Sequence, residues 1–218
     1  MVRTTTTLTV WWGSVRVAGW LVAVALLFLG VSQARAATFE VTLDTSSLSG
    51  TAARLAFDLI DGDGVVNNTA AISGFSTDGT LGASTTSGGV TGSLPGGFTL
   101  DDTAFFNELL QDLTLGTTVA FILDVTTAFA GGAPDSFSLF LLDPGSALSL
   151  VTTGLLGDAL MIVDIDGTGG GALAVAAATT PSIPVVVTPI ATVPAPWSLM
   201  LVALGFAWAG GSRIRRPE

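Results

Sequence analysis

The sequence predicts an all-β fold, an antiparallel β-sandwich or jelly roll with one short helix, between an N-terminal signal helix and a C-terminal transmembrane helix. Two observations predict the sandwich: short segments that alternate apolar and polar residues, and the Asp-Gly, Gly-Gly and Pro-Gly turns that separate them. A third, the uncharged stretch near each end, predicts the terminal helices. We divide the chain into residues 1–36, 37–178, 179–193 and 194–218.

Residues 1–36 have the layout of a secretory signal peptide. A basic start precedes an apolar run that is shorter than the ~20 residues of a stable membrane span, and small side chains follow at the two positions that a signal peptidase reads. We therefore expect export by the secretion machinery and cleavage after Ala36, with an uncleaved anchor as the alternative. These parts are Arg3 and Arg16, Val17 to Val31, and Ala34 and Ala36.

The segment 37–178 is predicted to be the β-sandwich, because its apolar residues recur at every second position. Such alternation buries one face of a strand and leaves the other in solvent. The clearest strands are residues 38–43, 55–59, 119–125 and 137–141, and weaker candidates are residues 70–75, 90–94, 159–165 and 172–177.

The stretch DDTAFFNELLQDLTLG, residues 101–116, predicts the single helix. Phe105, Leu109 and Leu113 recur at every fourth position, with an aspartate at the start that can cap a helix and a glycine at the end that can stop one. We expect this helix to close one end or edge of the sandwich.

Residues 179–193 are rich in Pro, Thr and Val and predict an extended, polyproline-like linker. At roughly 3.1 Å per residue, the chain from Thr179 to Pro196 would span on the order of 55 Å. Such a spacer would hold the sandwich away from a membrane.

Charge and composition exclude several classes of function. The segment 37–196 holds 16 of the 17 acids and only one base, Arg54, which gives it a net charge of −15 and excludes nucleic acid as a partner. The chain has no Cys, His or Lys to activate a nucleophile, so we expect no enzyme activity. Its five Trp lie in the terminal segments and Tyr is absent, which leaves a glycan site to Phe or to polar groups.

The strongest chemical signal is DLIDGDGVVNN, which begins at Asp58. It places carboxylates and amides at short spacing on a Gly-turned loop, as calcium requires, although the spacing is not that of an EF-hand. Calcium is therefore the one cofactor that the sequence suggests, and the alternative is an ordinary Asp-Gly turn without metal. The candidate ligands are Asp58, Asp61, Asp63, Asn67 and Asn68.

The C-terminal segment combines a proline pair, an apolar run and a basic cluster. Residues 197–211 carry no charge, and the arginines after them predict a membrane span with its tip in the cytoplasm and the sandwich outside the inner membrane. The motif is Pro194, Ala195 and Pro196, and the cluster is Arg213, Arg215 and Arg216.

This order of motif, apolar helix and arginines resembles the PEP-CTERM sorting tail of Gram-negative bacteria, which is also described as the C-terminal domain of ice-binding-like proteins. The resemblance implies recognition by an exosortase, a membrane transpeptidase that removes the tail and sends the protein to the cell surface or beyond, often in organisms that make exopolysaccharide. Ala195 stands where the family usually has Glu, which leaves open the sorting enzyme, and whether the tail is cleaved or stays as an anchor. FEVTLDTSSLSG, FDLIDGDG and PDSFSLFLLD are also similar to segments of β-rich PEP-CTERM proteins.

The sequence thus predicts an exported structural or adhesive protein of the cell envelope or of its extracellular polysaccharide matrix. The alternative from another class is a calcium-dependent glycan-binding module. A hydrolase that uses a pair of carboxylates is the third.

Overall fold

Antiparallel β-strands make up most of the chain that the computed structural model describes, residues 36–167 and 171–191. Single turns of 3-10 helix lie at Ser46–Leu48 and Leu156–Asp158. The strands are β1 (Ala36–Asp44), β2 (Ala52–Ile60), β3 (Thr69–Thr77), β4 (Thr80–Ser87), β5 (Gly89–Ser93), β6 (Gly97–Asp101), β7 (Phe106–Thr114), β8 (Thr118–Thr126), β9 (Asp135–Leu142), β10 (Met161–Ile165), β11 (Ala172–Val175) and β12 (Val185–Ile190).

The strands form two six-stranded sheets that pack face to face as a sandwich. Sheet 1 has the order β12-β1-β8-β3-β6-β5, and sheet 2 has the order β11-β10-β9-β2-β7-β4. The all-β class predicted from alternation is confirmed, and the four clearest predicted strands lie within β1, β2, β8 and β9. Within the described ranges, no helix has both the length and the apolar character needed to cross a bilayer.

The core lies between the two sheets and consists of the inward residues of each strand. Phe57 of sheet 2 packs edge-to-face on Phe98 and Phe121 of sheet 1, with ring centroids 5.1 and 5.6 Å apart. Aromatic pairs of this geometry contribute about 0.5–1.5 kcal/mol beyond the burial of their area. Phe57 therefore joins the two sheets at the centre of the core.

The helix predicted at residues 101–116 is wrong, because this stretch is the end of β6, a turn and the strand β7. Leu109 and Leu113 satisfy a period of two as well as a period of four, and both point into the core. Asn107 and Gln111 occupy the other two inward positions of β7. Because these buried side chains are polar, the sequence does not show the alternation of a strand. Gln111 stays satisfied because its amide donates to the carbonyls of Gly82 and Asp112, and to that of Ala83.

The linker predicted at residues 179–193 is also wrong in its central part, because residues 185–190 form strand β12. β12 pairs with β1 along one side only, in a register that places Val187 opposite Val41 and Pro189 opposite Phe39. Proline lacks an N–H to donate and is tolerated on an edge strand. The sandwich therefore extends to Ile190, beyond the boundary predicted at residue 178.

Candidate functional site

One end of the sandwich is formed by the connections 61–68, 102–105 and 127–134, and we call it the loop end. These connections follow β2, β6 and β8, and hydrogen bonds join them to one another. The amide of Asp61 donates to the carbonyl of Phe105 at 3.0 Å, and the amide of Ala130 donates to Asp63 Oδ2 at 2.9 Å. The three connections thus form one joined surface.

Three carboxylates converge at this end. Asp61, Asp63 and Asp135 each contribute an oxygen that lies within 4.8 Å of the other two, and we call this group the acid cluster. Asp61 and Asp63 follow β2, whereas Asp135 is the first residue of β9 and is only 1% exposed. The cluster therefore brings together residues that are more than 70 positions apart in the chain.

Backbone amides hold Asp135 in place. The N–H groups of Gly62 and Asp63 donate to Asp135 Oδ1 at 2.7 and 3.3 Å. Gly62 is required for this approach, because a side chain there would collide with the carbonyl oxygen of Pro134. The first Gly of the DGDG motif thus serves the contact with the connection 127–134.

The other two acids of the cluster form a tight local turn. Gly64 N–H donates to Asp61 Oδ1 at 2.7 Å, and Val65 N–H donates to Asp63 Oδ1 at 2.8 Å. Gly64 has a φ of +76°, in the left-handed region that favours glycine. This is the Asp-Gly turn that the sequence offered as the alternative to a metal loop, and the structure combines the turn with a convergence of carboxylates.

Asn68 positions Asp135 from the other side. Its side chain is buried, and its Nδ2 donates to Asp135 Oδ2 at 2.6 Å and to the carbonyl of Ala128 at 2.8 Å. Its Oδ1 accepts from the amide of Ala128 and from the hydroxyl of Thr126, each at 3.0 Å. Asn68 therefore supports the cluster through Asp135 rather than by offering a free oxygen to a metal.

Asp102 lies beneath the connection 61–68 and is 1% exposed. Its Oδ2 accepts from the amides of Asn67 and Asn68 at 2.9 and 2.7 Å. Its Oδ1 is buried without any hydrogen-bond partner. A buried carboxylate oxygen of this kind is costly unless a donor or a cation meets it.

The cluster has no positive side chain beside it among the residues that the structure describes. Arg54 is the only basic residue in those ranges, and it pairs with Asp112 at 2.6 Å on the outer face of sheet 2. Oxygen ligands from carboxylates and backbone carbonyls are what calcium prefers, and its coordination geometry is flexible. The loop end therefore has the donor set that suits a hard divalent cation.

Asp58, which the sequence placed in the same metal loop, lies elsewhere. It belongs to β2 and faces outward from sheet 2, directly opposite Glu108 of β7 and Ser138 of β9. The prediction that Asp58 joins the other ligands is wrong, because strand alternation turns its side chain away from the loop. Of the other predicted ligands, Asp61 and Asp63 enter the cluster.

Asp58 and Glu108 form a pair of carboxyl groups within hydrogen-bonding reach. Burial, the nearby charge of Glu108 and the hydrogen bond between the two groups together raise the pKa of Asp58 to about 7, with burial as the largest cause. Burial also raises the pKa of Glu108, against the opposing effects of its hydrogen bond to Asp58 and of the charge on Arg54. The pair therefore shares a proton near neutral pH, with Asp58 as the donor.

Sequence reasoning missed Asp102 and Asp135 as parts of the site. Asp102 is one of two aspartates, with Asp101, that the sequence offers as the cap of a helix that does not form. Asp135 carries no local signal, because its approach to Gly62 depends on how β9 pairs with β2. The predicted sorting and cleavage residues Pro194 to Pro196, Arg213, Arg215, Arg216 and Ala34 lie outside the described residues, and Ala36 is the first residue of β1.

A pocket of ≈ 260 Å³ lies away from these acids and is lined by residues 176–179 and 182–185. None of its lining residues carries a charge. The pocket therefore offers no acid or base for chemistry, and the loop end is the stronger candidate site.

Comparisons with known proteins assign no family. No protein-family model matches the chain, no curated protein matches it, and no solved structure matches it.

Proposed function

We propose that this chain is an exported structural or adhesive protein of the cell envelope or of its extracellular polymer, and that calcium bound at the loop end stabilises it. One observation carries the calcium part of the proposal. Asp61, Asp63 and Asp135 converge to within 4.8 Å beside no basic side chain of the described ranges. The buried, unpartnered oxygen of Asp102 under the same connection supports it.

Electrostatics gives calcium a stabilising role. Two like charges about 4 Å apart repel each other by roughly 1 kcal/mol in water and by roughly 4 kcal/mol near a protein surface, where the effective dielectric constant is lower. A divalent cation turns this repulsion into attraction, and here it would also join the connection 61–68 to the start of β9. The chain has no Cys, so such a bridge would do for an exported domain what disulfides do elsewhere.

The export route is part of the same proposal. Cleavage after Ala36 would remove only the first residue of β1, so the strand would remain. An exosortase-type transpeptidase would then act on the tail after Pro194 to Pro196, while the inner membrane holds it. Intact-mass analysis of the protein from its native host tests this route. A mature form that still ends at Glu218 would replace sorting by a permanent anchor.

Thermal unfolding with calcium and then with a chelator tests the metal. Calcium at about 100 times its Kd should stabilise the fold by about 2.7 kcal/mol, because it binds only the folded loop end. Asp143→Asn is the matched control, since Asp143 is an exposed turn acid in the connection after β9 and should keep the full calcium effect. An unchanged midpoint in the unmodified chain would overturn the calcium proposal.

One observation favours the glycan-binding module as a second candidate. Glu108 lies on the outer face of sheet 2 two residues from Phe106, which is 38% exposed, whereas Ser138 is only 8% exposed and Asp58 Oδ1 is buried. A carboxyl group next to an exposed aromatic ring can hold a sugar, and binding on a glycan array tests this.

The Asp58–Glu108 pair does not favour a hydrolase. Carboxyl groups in hydrogen-bonding contact are closer than the ~5–9 Å at which glycosidases hold their two acids around the scissile bond.

A further inference from the structure

Most of the large apolar side chains that are exposed on the described residues gather at the loop end. Phe105 is 74% exposed and Val66 is 62% exposed, although both are side chains that proteins usually bury. An apolar group of this kind, concentrated on one surface, is typical of an interaction site. The members are Val65, Val66, Phe105, Phe106, Phe129 and Ile190, and we call them the apolar tips.

Four of the apolar tips, Val65, Val66, Phe105 and Phe129, belong to the connections that form the loop end, whereas Phe106 begins β7 and Ile190 ends β12. Asp63 accepts from the amide of Val65 and from that of Ala130, which holds the neighbouring Phe129 next to the turn. Asp61 donates its amide to the carbonyl of Phe105. Apolar and acidic groups therefore share one rigidly joined surface.

The last strand that the structure describes, β12, ends at this end of the sandwich. Ile190, the last residue of β12, pairs with Thr38 near the start of β1, and Ala36 of β1 pairs with Thr126 at the end of β8, where the loop end begins. The uncharged stretch 197–211 starts seven residues after Ile190, a distance of at most about 25 Å for a fully extended chain. A bilayer that takes up this stretch would therefore begin within about 25 Å of Ile190, within reach of the apolar tips.

We propose that the loop end docks on the surface of that bilayer when calcium is bound. The inference rests on the proposed function for its calcium ion. The apolar tips would enter the acyl boundary of the lipid, as exposed apolar side chains do at a membrane interface. Calcium in the acid cluster would bind phosphate oxygens of anionic lipid with the coordination positions that the protein leaves open.

Charge makes the docking depend on calcium. Without the ion, the carboxylates of Asp61, Asp63 and Asp135 at the loop end repel anionic headgroups, in a segment whose net charge is −15 from 16 acids and one arginine. With the ion, the cluster is neutralised and attracts phosphate. The opposite end of the sandwich exposes Leu148 and Leu156 in the connection 143–160, but the last described strand, β12, does not end there.

The absence of Cys from the chain permits a site-specific test in the full-length protein. Val66→Cys is labelled with an environment-sensitive fluorophore, and the chain is placed as single copies in nanodiscs of phosphatidylglycerol and phosphatidylcholine with a nitroxide on the lipid tails. We expect calcium to raise quenching of the Val66 label several-fold over chelator. The same label at Leu148→Cys is the matched control and should show no change.

A double variant tests the apolar tips themselves. Phe105→Asp with Phe129→Asp should lower the docked fraction at least about tenfold, because each ring would lose its burial in lipid. Calcium should still raise its thermal midpoint, since the acid cluster is intact. A double variant that docks as well as the unmodified chain would overturn the inference.

The outcomes separate this inference from the proposed function. If calcium raises the thermal midpoint but leaves the Val66 label unquenched, the docking inference fails and the calcium proposal stands. If calcium leaves the midpoint unchanged, the calcium proposal itself fails. Equal quenching at Val66 with calcium and with chelator, or equal quenching at Leu148, overturns calcium-dependent docking through the loop end.

Discussion

Asp58 and Asp61 are three residues apart in sequence but lie in opposite chemical environments. Asp61 is in a loop, where it accepts an amide hydrogen bond from Gly64 and meets two other carboxylates. Asp58 is on a strand face, where its Oδ1 has no partner and its neighbour is the carboxyl group of Glu108. Each aspartate lies next to other carboxyl groups, and the single arginine of the described ranges forms its ion pair with Asp112 instead.

The difference shows how backbone geometry selects the counter-ion. A turn exposes N–H groups and lets carboxylates converge from several sides, so a cation can complete the shell. A strand uses its N–H groups in the sheet and brings the carboxyl groups of neighbouring strands into direct contact. One of them then keeps a proton, which gives the raised pKa of Asp58. We infer that the stability contributed by the acid cluster depends on calcium. The stability contributed by Asp58 and Glu108, which we call the face pair, depends on pH.

The largest loss of stability should come from a substitution in the acid cluster. Asp135 is a buried carboxylate that accepts hydrogen bonds from the amides of Gly62 and Asp63 and from the side chain of Asn68. Asp135→Asn removes one of its two acceptor oxygens and a calcium ligand. In calcium we expect a loss of about 3–5 kcal/mol, the sum of an unsatisfied buried group and the lost ion. Urea unfolding in calcium and in chelator measures both parts.

Asp143→Asn is the matched control for that experiment. Asp143 accepts from the amides of Gly145 and Ser146 in an exposed turn, and asparagine can keep those contacts. We expect little change in stability and none in the calcium effect. If Asp135→Asn keeps the calcium effect as Asp143→Asn does, the acid cluster is not the calcium site.

A smaller effect on stability should come from the face pair, and it should depend on pH. The pKa of Asp58 is about 7 in the folded chain and 3.8 ordinarily, so the folded state holds more protons between these values. Stability therefore falls as pH rises from about 4 to above 7, by up to about 4 kcal/mol. Asp58→Asn keeps an N–H donor for Glu108 without the charge, so it should gain about 2–3 kcal/mol at pH 8 and little at pH 4.

The window of that experiment excludes the other acids with shifted pKa values. Hydrogen bonds from Thr117 and Thr118 lower the pKa of Asp78 to about 2, so its contribution is present above about pH 4 and is lost as pH falls through 2. Urea midpoints measured from pH 4 to pH 8 therefore report the face pair. A variant whose midpoint still falls as steeply as that of the unmodified chain would contradict the assignment to Asp58.

Alternation predicted most of the fold because most inward positions are apolar. It failed at β7, where Asn107 and Gln111 are buried at inward positions and their amides donate to backbone carbonyls. Two of those acceptors, the carbonyls of Leu59 and Gly82, lie on the neighbouring strands β2 and β4, so only the paired strands could reveal that a polar side chain fits the core. At β12 the prolines suggested a linker, since a single sequence does not show that an edge strand needs only one partner.

The candidate site was predictable only where its parts are local. Asp61 and Asp63 stand out because the DGDG turn places them together in the sequence. Asp135 and Asp102 join them through contacts across the sandwich, with Gly62 and with Asn67 and its neighbour. Asp58 was misplaced because the boundary between a strand and a loop, at Ile60, decides which way an acid points.

The smallest effect should come from Arg54, which lies on the face of the Asp58–Glu108 pair and is the one basic residue of the described ranges. In its ion pair with Asp112, the side chain of Arg54 is 22% exposed and that of Asp112 is 35% exposed. Exposed ion pairs contribute about 0–1 kcal/mol, so Arg54→Met should cost less than about 1 kcal/mol of stability.

The charge of Arg54 lowers the pKa of Glu108, so its removal should raise the pH at which the Asp58–Glu108 pair releases its proton. Urea midpoints from pH 4 to pH 8 measure this shift, with Asp112→Asn as the control that breaks the ion pair but keeps the cation. An unmoved titration in Arg54→Met would contradict the effect assigned to the charge of Arg54 on the pair.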